Sequence, residues 1–121
     1  MDVDRESRTR TAVAIDARRC PRFKLQVDIR VYSRTVGLLT GHTDDISESG
    51  ISAILKLEVP VGELVQLEFA LPAGPVAIRA LVRHRTAFRY GFQFVEPDTH
   101  GHIRVTCERL EREQGCVPGL A

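Results

Sequence analysis

Hydrophobic and polar residues alternate along most of the chain between residues 24 and 96. In the first such stretch, every second residue from Leu25 to Val31 is apolar and the residues between them are polar. A period of two residues is typical of a β-strand with one face in the core, and β-branched side chains favour it further. The pattern recurs between turn-forming glycines and prolines and predicts six strands, at residues 24–31, 38–46, 51–57, 64–71, 76–85 and 89–96.

The periodicity changes after Pro97. The apolar residues that follow are spaced four and three apart, as on one face of a helix: Ile103, Cys107 and Leu110. Asp98 or Thr99 could cap this helix, which is predicted at residues 98–113. Six strands joined by turns and followed by one helix predict a mainly all-β fold. We expect a closed six-stranded antiparallel β-barrel, because closure removes exposed strand edges.

The chain of 121 residues is long enough for one domain with a core of its own. The mixed acidic and basic residues at its start show no period and predict a flexible tail, followed by an arm without regular structure. The predicted division is a tail at 1–16, a domain at 17–113 made of a mobile arm at 17–23, a barrel at 24–96 and the helix, and a frayed end at 114–121.

Composition limits the classes of function. The net charge is only +1, so a general affinity for nucleic acid is not implied. No apolar run approaches the roughly 18 residues of a membrane span. The three cysteines form no CxxC pair and are expected to be reduced thiols, so we expect a cytoplasmic protein without membrane insertion. Among the first 22 residues, six arginines face four acidic residues, which makes a local basic patch.

The basic patch ends in three arginines within five positions: Arg18, Arg19 and Arg22. A guanidinium group presents a rigid fork of donors that matches phosphate oxygens or the edge of guanine. Pro21 fixes its own φ and favours an extended conformation at Cys20. On its own, this arm is more typical of a solvated charge run than of a clamp for an anion.

A second candidate is the connection between the second and third predicted strands, which carries Asp45, Ser47 and Gly50. On their own, these residue types indicate a well-formed turn. They could also bind a nucleobase, because a carboxylate accepts base N–H groups, a hydroxyl both donates and accepts, and glycine permits close approach.

Together the two stretches resemble the paired signature of the PilZ domain family. Arg18 and Arg22 form an RxxxR motif ahead of the predicted barrel, and the loop forms a DxSxxG motif where the family has [D/N]xSxxG. The resemblance extends over residues 17–109. It implies a receptor for cyclic di-GMP, a bacterial second messenger with two guanines and two phosphates.

The resemblance implies a ligand site formed by Arg18, Arg19, Arg22, Asp45, Ser47 and Gly50. Ligand binding would order the arm, and the signal would pass by contact to a downstream protein partner. No catalytic activity, metal or cofactor is implied.

Two alternatives stay open from the sequence. One is a PilZ-like adaptor that binds a protein partner and no nucleotide. The other is a nucleic-acid-binding barrel that grips phosphates with the arm and with a row of arginines: Arg79, Arg83, Arg85 and Arg89. Few aromatic residues interleave with that row, so an exposed polar face is favoured. Similarly, His100 and His102 are interpreted as exposed side chains, because no further ligands for a metal lie nearby.

Overall fold

A computed structural model of the chain describes residues 21–115. Within this range the secondary structure consists of strands followed by a helix: β1 Phe23–Lys24, β2 Asp28–Ser33, β3 Gly37–Ile46, β4 Gly50–Leu55, β5 Leu64–Leu71, β6 Gly74–Thr86, β7 Arg89–Phe94 and α1 His102–Gln114.

Strands β2 to β7 form a closed ring in the order β3-β2-β5-β6-β7-β4, and β4 pairs back onto β3. Every pairing is antiparallel. The predicted six-stranded antiparallel barrel with a C-terminal helix is therefore confirmed. The short strand β1 adds to β3, where Phe23 lies opposite Ile46 and Lys24 opposite Asp45.

The core consists of alternate residues from each strand, as the period of two predicts. Tyr90 and Phe92 of β7 are both buried, and their rings stack with centroids 6.2 Å apart. Helix α1 contributes Ile103 and Cys107 to the same core, which confirms that Cys107 is a core residue. The barrel is thus filled by side chains and closed on one side by the helix.

The first predicted strand, at 24–31, is in fact two strands with a break between them. Thr43 bridges the break, since its hydroxyl accepts a hydrogen bond from the backbone N–H of Val27 and donates one to the carbonyl oxygen of Leu25. A side chain thereby replaces part of the backbone ladder. The hydrophobic and polar pattern predicts which residues face the core, but it does not predict these hydrogen bonds of the Thr43 side chain.

The helix begins at His102, four residues later than predicted. Its N-cap is Gly101, with a left-handed φ of 72°, and no side chain caps it in the usual position. Asp98 nevertheless accepts a hydrogen bond from the backbone N–H of Arg104 in the first turn, at 3.0 Å. Among the described residues, no helix combines the length and the apolar character needed to cross a membrane.

Candidate functional site

A β-bulge in β3 determines where Asp45 points. Thr43 pairs with Ala53 and Asp45 pairs with Ser52, so Asp44 is an extra residue in the ladder. Without it, Asp45 would lie on the same inward face as Thr43. With it, Asp45 shares the outward face of Ser52, and Ile46 enters the core. A bulge commonly re-aims a side chain in this way.

Both oxygens of the Asp45 carboxylate are engaged. Oδ1 accepts hydrogen bonds from Nε and Nη2 of Arg22 at 2.9 and 2.6 Å, and from the hydroxyl of Ser52 at 2.8 Å. Oδ2 accepts one from Nη2 of Arg89 at 3.0 Å. The Asp45 side chain is only 12% exposed. The two predicted motifs therefore meet at this carboxylate.

Arg89, from β7, also bridges to the neighbouring carboxylate. Its Nε donates to Oδ2 of Asp44 at 2.9 Å, and its side chain is 48% exposed. Arg22 is similarly placed, with one edge on Asp45 and 43% of its side chain exposed. Each guanidinium is thus anchored to a carboxylate on one side and open to solvent on the other.

Three residues of the site were not predicted from the sequence: Asp44, Ser52 and Arg89. Their position depends on which residues of β3, β4 and β7 lie opposite one another, and the sequence pattern does not specify this register. The Asp44-Asp45 doublet is the one local sign of a denser acidic site. Arg89 was interpreted only as part of an exposed polar face.

The rest of that arginine row fits its interpretation as an exposed polar face. Arg79 pairs with Glu96, Arg83 with Gln93 and Arg85 with Glu58. These guanidinium groups already have acceptors on the same surface. This arrangement is typical of a solvated strand face and gives the nucleic-acid alternative no additional support.

Competing effects set the ionisation of Asp45. Burial by itself would raise the pKa of this carboxyl group. The hydrogen bond from Arg22 opposes burial, as do the hydrogen bond from Ser52 and the positive charges of Arg22 and Arg89, and the resulting pKa lies below its usual value. Asp45 is consequently an anion at neutral pH.

This shift predicts how stability changes with pH. Because the pKa of Asp45 is lower in the folded than in the unfolded protein, its charge stabilises the fold above the unfolded value of about 3.9. That stabilisation is lost as the pH falls through the folded pKa. Urea unfolding at several pH values should show wild type more stable than Asp45→Asn at pH 7, with a gap that shrinks below about pH 4. A gap that widens towards acid pH would contradict the assignment.

Ser47 holds the connection between β3 and β4 together. It is fully buried, and its hydroxyl accepts hydrogen bonds from the backbone N–H groups of Ser49 and Gly50 at 3.2 and 3.1 Å. Its own N–H donates to the carbonyl oxygen of Gly50 at 2.8 Å. Ser47 therefore fixes the shape of the loop, and its direct contact with a ligand stays a prediction.

Gly50 lies at the start of β4, opposite Gln93 of β7. A Cβ atom at this position would collide with the carbonyl oxygen of Phe92. Glycine is required here because another strand comes close to its Cα. The close approach that the sequence indicated is thus a contact within the barrel wall.

Four of the six predicted site residues lie among the described residues. Arg22 and Asp45 are in direct contact, and Ser47 and Gly50 shape the adjoining loop. Arg18 and Arg19 lie outside the described residues, as do the tail at 1–16 and most of the predicted frayed end. Phe23, the last residue of the predicted arm, is buried and paired in β1, so regular structure begins there. The predicted mobility of the arm stays a prediction.

His100 lies in the loop before α1, and His102 is the first residue of that helix. His100 and His102 stack on one another with ring centroids 5.4 Å apart. Within residues 21–115, no group of three or more histidine, cysteine, aspartate or glutamate side chains is placed to hold a metal ion.

Comparison with known proteins gives matches for both sequence and fold. Residues 16–110 match the sequence model of the PilZ domain. The fold is similar to the PilZ domain of CeSA from a cellulose-synthesizing bacterium, with 16% identity over 73% of this chain and 96% of that chain and a TM-score of 0.58. No curated protein matches the sequence significantly.

Two further solved structures share the fold. The PilZ domain of YcgR from Escherichia coli, solved with c-di-GMP, is 18% identical over 79% of this chain and 92% of that chain, with a TM-score of 0.62. The Bacillus subtilis inhibitor of motility, MotI/DgrA, is 18% identical over 78% of this chain and 50% of that chain, with a TM-score of 0.66.

Proposed function

Because the chain belongs to the PilZ domain family, we propose that it is a non-catalytic receptor for cyclic di-GMP. The observation that supports this most is the contact between Arg22 and Asp45, which joins the two motifs of the family at one point on the barrel surface. The fold is also similar to that of the YcgR PilZ domain, whose structure was solved with c-di-GMP.

The chemistry of the two side chains matches that of the ligand. The exposed edge of Arg22 offers parallel N–H donors, which suit a phosphate or the O6/N7 edge of guanine. The ionised carboxylate of Asp45 suits the N1–H and amino groups of guanine. Arg18 and Arg19 precede Arg22 by four and three residues and would add further donors for phosphate.

Ser47 and Gly50 serve the proposed site by fixing the loop that follows Asp45. Ser47 closes the turn through hydrogen bonds to backbone N–H groups, and Gly50 lets β4 lie against β7. A rigid loop lowers the entropy cost of binding, because less has to be ordered when the ligand arrives.

The signal would pass from the arm to the C-terminal helix and from there to a partner protein. Strand β1 begins at Phe23, the last residue of the arm, and its Lys24 exchanges two hydrogen bonds with the side chain of Gln114 in α1, both at 2.9 Å. Ordering of the arm by the ligand would therefore reach the surface of α1. A disorder-to-order change of this kind is a common form of switch.

Calorimetric titration of the full chain with cyclic di-GMP tests the proposal. We expect a dissociation constant in the micromolar range, about −8 kcal/mol, and a loss of about tenfold for Arg22→Ala. Arg79→Ala is the matched control, because Arg79 pairs with Glu96 away from the site and should leave binding unchanged. Absence of heat at tens of micromolar ligand with folded protein would overturn the proposal.

A further inference from the structure

One of the two carboxylate oxygens of Asp45 already accepts as many hydrogen bonds as it can. Oδ1 accepts two hydrogen bonds from Arg22 and one from Ser52, whereas Oδ2 accepts one from Arg89. Since a carboxylate oxygen offers about two lone pairs, Oδ1 cannot also accept an N–H group from a guanine base. In this arrangement Oδ2 has at most one acceptor position left, whereas the N1–H and the amino group of guanine need two.

The proposed nucleotide site therefore requires an exchange of partners. For Asp45 to accept guanine N–H groups and for Arg22 to turn its whole fork to the ligand, Arg22 has to leave the carboxylate. Asp45 is only 12% exposed. A buried charge without a compensating partner is costly, so a second cation has to stay beside it.

Arg89 is placed to be that cation. It projects from β7, a strand bonded on both sides within the barrel wall, while Arg22 precedes a strand of two residues. Its Nε is held by Asp44, and its Nη2 reaches Oδ2 of Asp45, the oxygen that Arg22 does not use. Lys24 is no substitute, because the ion pair it makes is with Asp44, at 3.9 Å.

We propose that Arg89 is a positioning residue of the nucleotide site, which keeps Asp45 compensated and oriented when Arg22 moves from the carboxylate to the ligand. This inference rests on the proposed function. It assigns different tasks to the two arginines that share one carboxylate: Arg22 changes partner and Arg89 does not. Asp44 supports Arg89 by fixing the other edge of its guanidinium group.

The experiment is a pair of titrations, with cyclic di-GMP and with cyclic di-IMP, on the full-length wild type, Arg89→Gln, Arg89→Lys and the control Arg79→Gln. Cyclic di-IMP lacks the amino group that would donate a hydrogen bond to Asp45, so wild type should prefer cyclic di-GMP by about tenfold or more. In Arg89→Gln we expect cyclic di-GMP affinity to fall by about tenfold and this preference to shrink to about twofold.

The other variants separate positioning from a purely structural role. Arg89→Lys keeps the charge but cannot bridge Asp44 and Asp45, so it should restore part of the affinity and less of the preference. It also serves as the test if Arg89→Gln does not fold, as judged by circular dichroism. Arg79→Gln should match wild type with both nucleotides.

Three outcomes would contradict the inference or its premise. Folded Arg89 variants that bind cyclic di-GMP as wild type does would overturn it. A loss of affinity that is equal for the two nucleotides, with the preference retained, would also overturn it, because Arg89 would then act only on stability. If wild type binds neither nucleotide, the proposed function itself fails, and this result is distinct from the other two.

Discussion

Asp45→Ala is expected to lower the affinity for cyclic di-GMP by about 100-fold, equivalent to about 2.8 kcal/mol. The substitution removes the proposed acceptor for guanine, releases Arg22 and leaves Arg89 held by Asp44 alone, so the site loses contact and alignment together. The free energy of unfolding at pH 7 should fall by a smaller amount, about 1–2 kcal/mol. Stability loses less because Arg22 and Arg89 are nearly half exposed and water can replace their lost partner. Calorimetry and urea unfolding measure the two effects separately.

Asp28→Ala is the matched control for Asp45→Ala. Asp28 is also an aspartate on the outside of the barrel, and it has a basic partner too, His42 at 3.1 Å. Its side chain, however, is 93% exposed. We expect its removal to change stability by less than about 0.5 kcal/mol and to leave nucleotide affinity unchanged. An Asp45→Ala protein that binds cyclic di-GMP as tightly as wild type would mean that Arg22 binds the ligand without the carboxylate.

The alternation of side chains was enough to predict the barrel, because one face of each strand is buried and burial follows the period of two. It was not enough to predict the bulge at Asp44. A bulge appears only when the residues of two strands are matched, and the correct register of β3 against β4 is a property of the closed barrel. The bulge nevertheless decides whether Asp45 faces the core or the arginines.

The site was predicted where its residues belong to a short motif and missed where they do not. Arg22 and Asp45 were found because each belongs to a short motif with fixed spacing. Arg89 belongs to no such motif, and its relation to Asp45 arises from the pairing of β4 with β7, where it lies opposite Ile54. Asp45 and Arg89 are 44 positions apart, so no local sequence pattern predicts their contact.

Ser47 and Gly50, the other two residues of the DxSxxG motif, have structural roles in the fold. Both were predicted as ligand contacts, which stays a prediction, and in the structure Ser47 closes a turn and Gly50 permits two strands to approach. Part of the motif therefore specifies the fold around Asp45. Substitution of Ser47 or Gly50 should therefore lower the stability of the fold first and weaken ligand binding as a consequence.

Gly50→Ala is accordingly expected to lower the free energy of unfolding by about 2–3 kcal/mol, although alanine is a small residue. The new Cβ would collide with the carbonyl oxygen of Phe92, which belongs to the backbone of β7. Backbone in a closed barrel moves only if its neighbours move too. The melting temperature should fall by roughly 10 °C, as measured by calorimetry or circular dichroism.

Gly91→Ala provides the comparison that isolates the backbone effect. A Cβ at Gly91 would meet the imidazole of His84, an exposed side chain that can rotate away. We expect a cost below about 1 kcal/mol, and little further cost when His84→Ala is combined with it. If Gly91→Ala is as destabilising as Gly50→Ala, proximity of the β7 backbone is not the reason for glycine at position 50. If Gly50→Ala alone is costly, the glycine of the loop motif is fixed by strand packing, and Asp45 depends on that packing for its place beside Arg22.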